Sequence, residues 1–495
     1  MNSNLLSRFI RGTFATGMGT FLQISLGLLS MMVAVRFVPK VEFGVFVLIQ
    51  VIVLFFITMS SLLLQNIAVT QFIASSDEYE TSQIVNTTLC ATVVISIFII
   101  AVIYVSRPLV LYAFESTALL TFYIYIPVFF ILASFDELFR RILQGFQRYM
   151  EISLSQIING IIKIILVIIF VAFLHMGLMG LIYASIISAL TSMVYVILVL
   201  PIKLKLQLDF GLFKKIFRFG FPLGINSALT FFVNKIDRLI VGSMSGPAGV
   251  ACYEVAARIP DQSWAFYNSF ESVYFPNIAE LYSKKQEIEV EKILNISVRL
   301  IAFLTLLAAL IVTLFQQDIV VFLFSREYLS SAPALSILMI ALSLGLVGNI
   351  LGSSLVAIGQ SDKPFKVNIF GGLSTVIGSL IMIPLYGYMG AVYTKILERS
   401  ITNPLNVMFL RRADIRVKVS GYLKSFGAFG ICLVYYWVTK PEGIMPKFFI
   451  IVFFLVLCMC LSVVKKGELD IFLRELYKVI SNVKFMIRKS GRETL

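Results

Sequence analysis

The ionisable residues that interrupt otherwise apolar stretches are where this sequence could do chemistry. One stretch carries Asn226, Asn234, Lys235, Asp237 and Arg238. The next carries Glu254, Arg258, Asp261, Asn268 and Glu271, at steps of 4, 3, 7 and 3, which set them along one face of a helix. Lys395, Arg399, Thr402 and Asn406 repeat the spacing at steps of 4, 3 and 4, and Lys163 follows Asn159 by one turn. Six bases thus stand inside apolar segments: Lys163, Lys235, Arg238, Arg258, Lys395 and Arg399. A group of cations in a poorly hydrated place is suited to an anionic substrate such as a lipid-linked pyrophosphate, and poorly suited to a cationic drug.

The acids beside them, Asp237, Glu254, Asp261 and Glu271, have two readings. They neutralise the bases as structural pairs, or they carry H+ or Na+, because a partly desolvated carboxylate next to a base responds to the state of its surroundings. Pro260 is expected to loosen the helix that bears the second group. No metal site or other cofactor is expected. The five cysteines (Cys90, Cys252, Cys432, Cys458 and Cys460) form no CxxC pair and sit in or beside apolar runs, as small hydrophobes do. The single histidine, His175, lies in a short turn and can build neither a metal site nor a catalytic dyad.

The elements that hold these residues are membrane helices. Of the 495 residues 59% are hydrophobic and 14% charged, far from the usual soluble mix. Apolar runs near the roughly 20 residues that cross hydrocarbon recur along the chain. We expect spans at 13–35, 43–66, 84–105, 117–135, 152–174, 178–200, 219–242, 248–275, 293–315, 332–358, 366–385, 388–410, 419–438 and 446–464. Their length and their interior Gly and Pro argue for helices and against barrel strands. The expected fold is therefore all-α and integral to the membrane, with about 14 transmembrane helices. A charge at the bilayer centre costs about 2.5–3.5 kcal/mol, so those six bases should face water or a partner.

Basic residues mark the cytoplasmic side. With the N-terminus inside, 29 of the 41 Lys and Arg fall in cytoplasmic segments and six in the opposite loops. Both termini are then cytoplasmic, in a multi-pass membrane protein. The net charge of +14 reads as a topology signal toward anionic membrane lipids and not as nucleic-acid binding. From Glu468 to Lys489, Leu469, Phe472, Leu473, Leu476, Val479, Ile480 and Val483 recur at helical spacing among bases, the pattern of an interfacial amphipathic helix. No loop is long enough for a folded extramembrane domain, which argues against an integral-membrane glycosyltransferase or ligase and for a protein that is not an enzyme.

Internal matches suggest duplication. Asn66-Ile67-Ala68 recurs as Asn277-Ile278-Ala279, and Gly177 to Tyr183 (GLMGLIY) recurs as Gly387 to Tyr393 (GYMGAVY), at offsets of 211 and 210. A weaker match pairs Gly145 with Gly359. An offset of six spans predicts two lobes of like topology about an axis along the membrane normal. The expected organisation is an N-lobe at 1–200, a C-lobe at 201–410, helices 13 and 14 at 411–464, and a basic cytoplasmic tail at 465–495.

The stretch from Phe217 to Tyr253, with Phe219-Gly220-Phe221-Pro222 at its opening and Ile236-Asp237-Arg238 toward its end, resembles the seventh and eighth helices of bacterial polysaccharide repeat-unit flippases. Phe275-Pro276-Asn277-Ile278-Ala279 resembles that family's close of helix eight, and Arg36 to Phe46, Leu143 to Ile152 and Phe324 to Leu338 also match its pattern in order. The family serves O-antigen, capsule and exopolysaccharide synthesis. The resemblance implies a MATE-like multidrug/oligosaccharidyl-lipid/polysaccharide exporter fold whose cavity is lined by helices 1, 2, 7 and 8. It implies translocation of an undecaprenyl-pyrophosphate-linked glycan by alternating access, coupled to an ion gradient, beside other polysaccharide-assembly membrane proteins. Lys235, Asp237 and Arg238, with Glu254 and Arg258, fall on the family's charged segments. The alternatives are a MATE-type multidrug antiporter and a lipid II flippase. Thr13 to Val35 lacks the internal Arg-Asp motif of the lipid II branch.

Overall fold

The computed structural model describes residues 3–463, and side chains from residue 19 on apart from Glu78. The amphipathic helix expected at 468–489 lies outside the described residues. In chain order the helices are α1 (Ser3–Phe37), α2 (Lys40–Leu63), α3 (Asn66–Ser75), α4 (Glu78–Phe114), α5 (Thr117–Phe122), α6 (Tyr125–Gly145), α7 (Tyr149–Val167), α8 (Gly177–Val199) and α9 (Phe210–Asn234). They continue as α10 (Ile236–Ser283), α11 (Glu287–Leu314), α12 (Gln316–Leu323), α13 (Ala332–Ala357), α14 (Asp362–Tyr386), α15 (Tyr388–Arg412), α16 (Val419–Thr439) and α17 (Ile444–Cys460). No strand occurs among the described residues.

Among the described residues each segment expected to span falls largely on helix. Nine described helices are long and apolar enough to cross a membrane by length and composition. Among those that fall short, α6, α10 and α15 carry the charged residues that interrupt their apolar runs. Large apolar side chains such as Val105, Leu109, Tyr112 and Val438 lie on the surface, as they must where the surrounding medium is lipid.

The described chain packs as two compact units. One holds the residues up to Phe266 with Gln316–Leu338 and Phe365–Thr402. In it α1 lies along α7, α7 along α8, and α2 along α9, while Leu64, Ala68, Ile84, Leu138, Ile142 and Ile216 form a buried core under α3, α4, α6 and α9. The other holds Tyr267–Phe315, Met339–Pro364 and the described residues from Asn403 on. There α11 packs on α16 and α17, Phe303 stacks on Phe454, and Glu291 accepts the backbone N–H of Arg416 at 2.7 Å.

Three expected spans contain a break: 43–66 crosses Leu64 and Gln65 between α2 and α3, 117–135 crosses the turn between α5 and α6, and the third is the one that bears on charge. The segment expected as one span at 219–242 is split, because α9 ends at Asn234 and Lys235 takes φ −131° and ψ −17° before α10 begins. Within α10 the non-helical residue is Gly246, at φ 68° and ψ 178°, in the connection expected between the spans at 219–242 and 248–275, while the dihedrals around Pro260 are helical. Gly246 tolerates this left-handed φ because it has no Cβ. The repeat has matching local geometry. Gly177 and Gly387 have φ of 54° and 59° at the starts of α8 and α15. At the ends of α6 and α13, Gln147 and Gly359 both have positive φ and head the same pair of bonds, Gln147 N–H to Gln144 and Arg148 N–H to Leu143, against Gly359 N–H to Val356 and Gln360 N–H to Leu355. The counterpart of Gly359 is thus Gln147 and not Gly145.

Candidate functional site

The break between α9 and α10 gathers charge for an electrostatic reason. A helix end leaves carbonyls without intrahelical donors and carries partial negative charge. Lys395 Nζ donates to Val233 O at 2.7 Å, and Arg238 Nη1 donates to Asn234 O at 3.3 Å. Two bases from α10 and α15 therefore cap the end of α9.

Carboxylates then surround those bases. Arg238 is 3% exposed; its Nε donates to Glu254 Oε2 at 2.8 Å, its Nη2 to Asp261 Oδ2 at 2.6 Å, and its Nη1 lies 3.4 Å from Asp237 Oδ1. Asp237 is wholly buried. Its Oδ2 accepts the hydroxyl of Tyr253 at 2.5 Å and lies 3.1 Å from Lys395 Nζ. Lys235 Nζ donates to Asp261 Oδ2 at 3.1 Å, the most exposed edge of the group. Three bases and three acids so form one ion network, with the Tyr253 ring 5.3 Å from the Arg238 guanidinium. Buried charge persists when it is paired and hydrogen-bonded in this way.

Arg399 has its own acid. Its Nε is 2.9 Å from Glu398 Oε2, its guanidinium faces the Trp264 ring at 6.0 Å, and Glu398 is 1% exposed. Glu398 is absent from the residues singled out by helical spacing, yet an acid next to Arg399 in an apolar run was a readable signal. Thr402 donates to the Glu398 carbonyl at 3.0 Å.

Arg258 and Lys163 are the bases left over. Arg258 Nη1 reaches Glu254 Oε1 only at 3.9 Å, and its buried Nε has no hydrogen-bond partner. Lys163 is half-buried and makes no ion pair among the described residues; its Nζ lies 5.9 Å from the Phe46 ring, and the charge that bears on it is Arg258. Helix α1 links the two: a Cβ on Gly27 would lie 3.2 Å from Arg258 Nη2, and one on Gly160, a turn from Lys163, would meet Leu26. The structure does not bring every expected residue together. Glu271 and Asn406 belong to the other unit, where Asn406 Nδ2 donates to Gly348 O at 3.3 Å, and Glu271 makes none of the described ion pairs.

Comparison with known proteins agrees with this architecture. A family model described as polysaccharide biosynthesis protein matches residues 33–333. The capsular polysaccharide biosynthesis protein CapF of Staphylococcus aureus is 24% identical over 342 residues, covering 68% of this chain and 84% of its own length. A putative O-antigen transporter of Shigella flexneri is 25% identical over 271 residues, covering 54% and 63%. Among solved structures, the lipid II flippase MurJ in an inward closed conformation superposes with a TM-score of 0.72 at 16% identity, over 93% of this chain and 99% of that one. An inward-facing multidrug MATE transporter gives 0.68, also at 16%, over 79% and 95%. These likenesses show the fold, which is that of multi-pass membrane proteins.

Proposed function

This chain belongs to the polysaccharide biosynthesis protein family, and we propose that within it the protein acts as a flippase. Its substrate is an oligosaccharide repeat unit on undecaprenyl pyrophosphate, turned from the inner to the outer leaflet of the bacterial cytoplasmic membrane by alternating access. The proposed topology has fourteen spans with both termini cytoplasmic, helices 1 to 6 and 7 to 12 forming the two lobes. An ion gradient of H+ or Na+ drives the cycle.

One observation carries this reading. Once Asp237, Glu254, Asp261 and Glu398 have taken their partners, Arg258 and Lys163 remain as cations beside α1 and α2. An anion beside that stretch of α1 would offset both charges, and a pyrophosphate brings compensating charge and oxygen acceptors for both. In this reading Lys235 borders the substrate path, while Arg238, Lys395 and Arg399 act on the substrate through the field of the network. A cationic drug would meet repulsion at the same place, which disfavours the multidrug reading.

Deleting the gene tests the proposal. The expected result is loss of one surface glycan with its undecaprenyl-linked repeat unit accumulating on the cytoplasmic face. Unchanged glycans with new drug sensitivity would overturn it. Collapsing the proton and sodium gradients in turn identifies the coupling ion.

A further inference from the structure

We propose that an oxygen-lined cleft between α2, α3, α4 and α6, open on one side, is a binding site for one sodium ion. It shares no residue with the ion network, and it would bind its ion whether or not the protein is a flippase. Its polar lining includes Ser60, Ser61, Asn66, Thr92, Ser134 and Glu137. Every donor atom that such a set offers a cation is an oxygen, which selects hard cations over metals that favour nitrogen or sulfur.

The hydrogen bonds make the lining receptive to positive charge. Ser60 Oγ donates to Ile57 O at 2.7 Å, Ser61 Oγ to Thr58 O at 2.7 Å, and Thr92 Oγ1 to Thr88 O at 2.8 Å. With their protons committed to their own helices, these hydroxyls have only lone pairs left for the cavity. Two further oxygens are buried with no partner, Asn66 Oδ1 and Ser134 Oγ, and Ser134 is 7% exposed. Buried acceptors in that state call for a donor or a cation. The ending of α2 at Leu63 and the start of α3 at Asn66 bring the amide there.

Charge selects the valence. Glu137 is the one carboxylate in the lining, and its basic neighbour Arg141 stands off at 3.8 Å while donating to Gln144 Oε1 at 3.0 Å. The adjacent Asp136 is taken by Arg140 at 2.8 Å. One loosely held negative charge balances one monovalent cation; a divalent ion would leave a positive charge uncompensated among Ile57, Leu64, Ile95 and Phe130. The space open to a water-sized sphere is ≈ 20 Å³, room for a single small occupant.

The test is binding of radioactive 22Na+ to the purified full-length chain in detergent, with ionic strength held by choline chloride. We expect one saturable class of sites, displaced by unlabelled NaCl, lost in Glu137→Gln and weakened roughly tenfold or more in Ser134→Ala. Size-exclusion profiles identify variants that fold, and Ser134→Ala decides the matter if Glu137→Gln does not. Absence of saturable binding, or binding unchanged in the folded variants, would overturn the site. So would binding that survives Glu137→Gln and disappears in Asp261→Asn, which would place the ion at the network. Glycan export is not read, so failure of the flippase reading leaves this result standing.

Discussion

Around Arg238, three acids and two further bases close a network in which each charge has an opposite partner within 3.4 Å. Around Arg258, on the far side of the Gly246 break, the closest carboxylate is 3.9 Å away, and a second base, Lys163, lies on a helix packed against the same stretch of α1. The residue types are the same in both regions. What differs is whether the fold supplies counter-charge, and on the proposed function this separates a region that holds the helices together from one that takes the substrate's charge.

Removing a partner inside the network should have the largest effect on stability. Asp237→Ala leaves Arg238 and Lys395 short of a buried counter-ion and should destabilise the protein by about 3–5 kcal/mol. Thermal melting of the detergent-solubilised variant checks this, and Asp237→Leu combined with Lys395→Met should recover much of the loss, since a matched apolar pair tolerates burial. Recovery no better than the single variant would mean that Lys395 serves the end of α9 more than it serves Asp237.

Tyr253→Phe deletes one hydrogen bond to a buried carboxylate, for a smaller loss of about 1.5–3 kcal/mol, readable in the same melt. Arg258→Ala should move the melting temperature little, because its ion pair is long, yet it should abolish glycan export at matched protein abundance. Wild-type export in that variant would erase the distinction between the two regions. Gly27→Ala should be mildest: its added Cβ would press on the far end of the Arg258 side chain, which can shift by a few tenths of an ångström. Stability should change by less than about 1 kcal/mol, with a partial fall in export in the same complementation assay.

The helices were largely legible. Apolar runs and Gly or Pro punctuation placed the segment expected at 332–358 on α13 and that at 388–410 on α15 to within two residues. The interruption at Lys235 was not, because the run from Ile225 to Val241 holds no Gly or Pro and the Pro222 upstream sits inside an unbroken α9; the break exists where Lys395 and Arg238 can cap it. Helical spacing found Glu254, Arg258 and Asp261 but passed over Glu398, which neighbours Arg399 in sequence. The pairing of Gly359 with Gly145 followed residue identity, whereas the shared turn geometry belongs to Gln147, a residue that can also enter the left-handed region at some conformational cost.

Hydropathy and helical period are local properties, so the sequence by itself determined that this is an all-helical membrane protein with a surplus of bases in its apolar segments. It also held the family resemblance, carried by short stretches whose order is preserved. Which bases are neutralised was decided only in three dimensions. Asp237 meets Lys395 across an intervening run of helices, and a salt bridge depends on a few ångströms that no spacing along the chain specifies. Arg258 and Lys163 stand apart from the other four bases because tertiary packing brought acids to those four and none within hydrogen-bonding distance of these two.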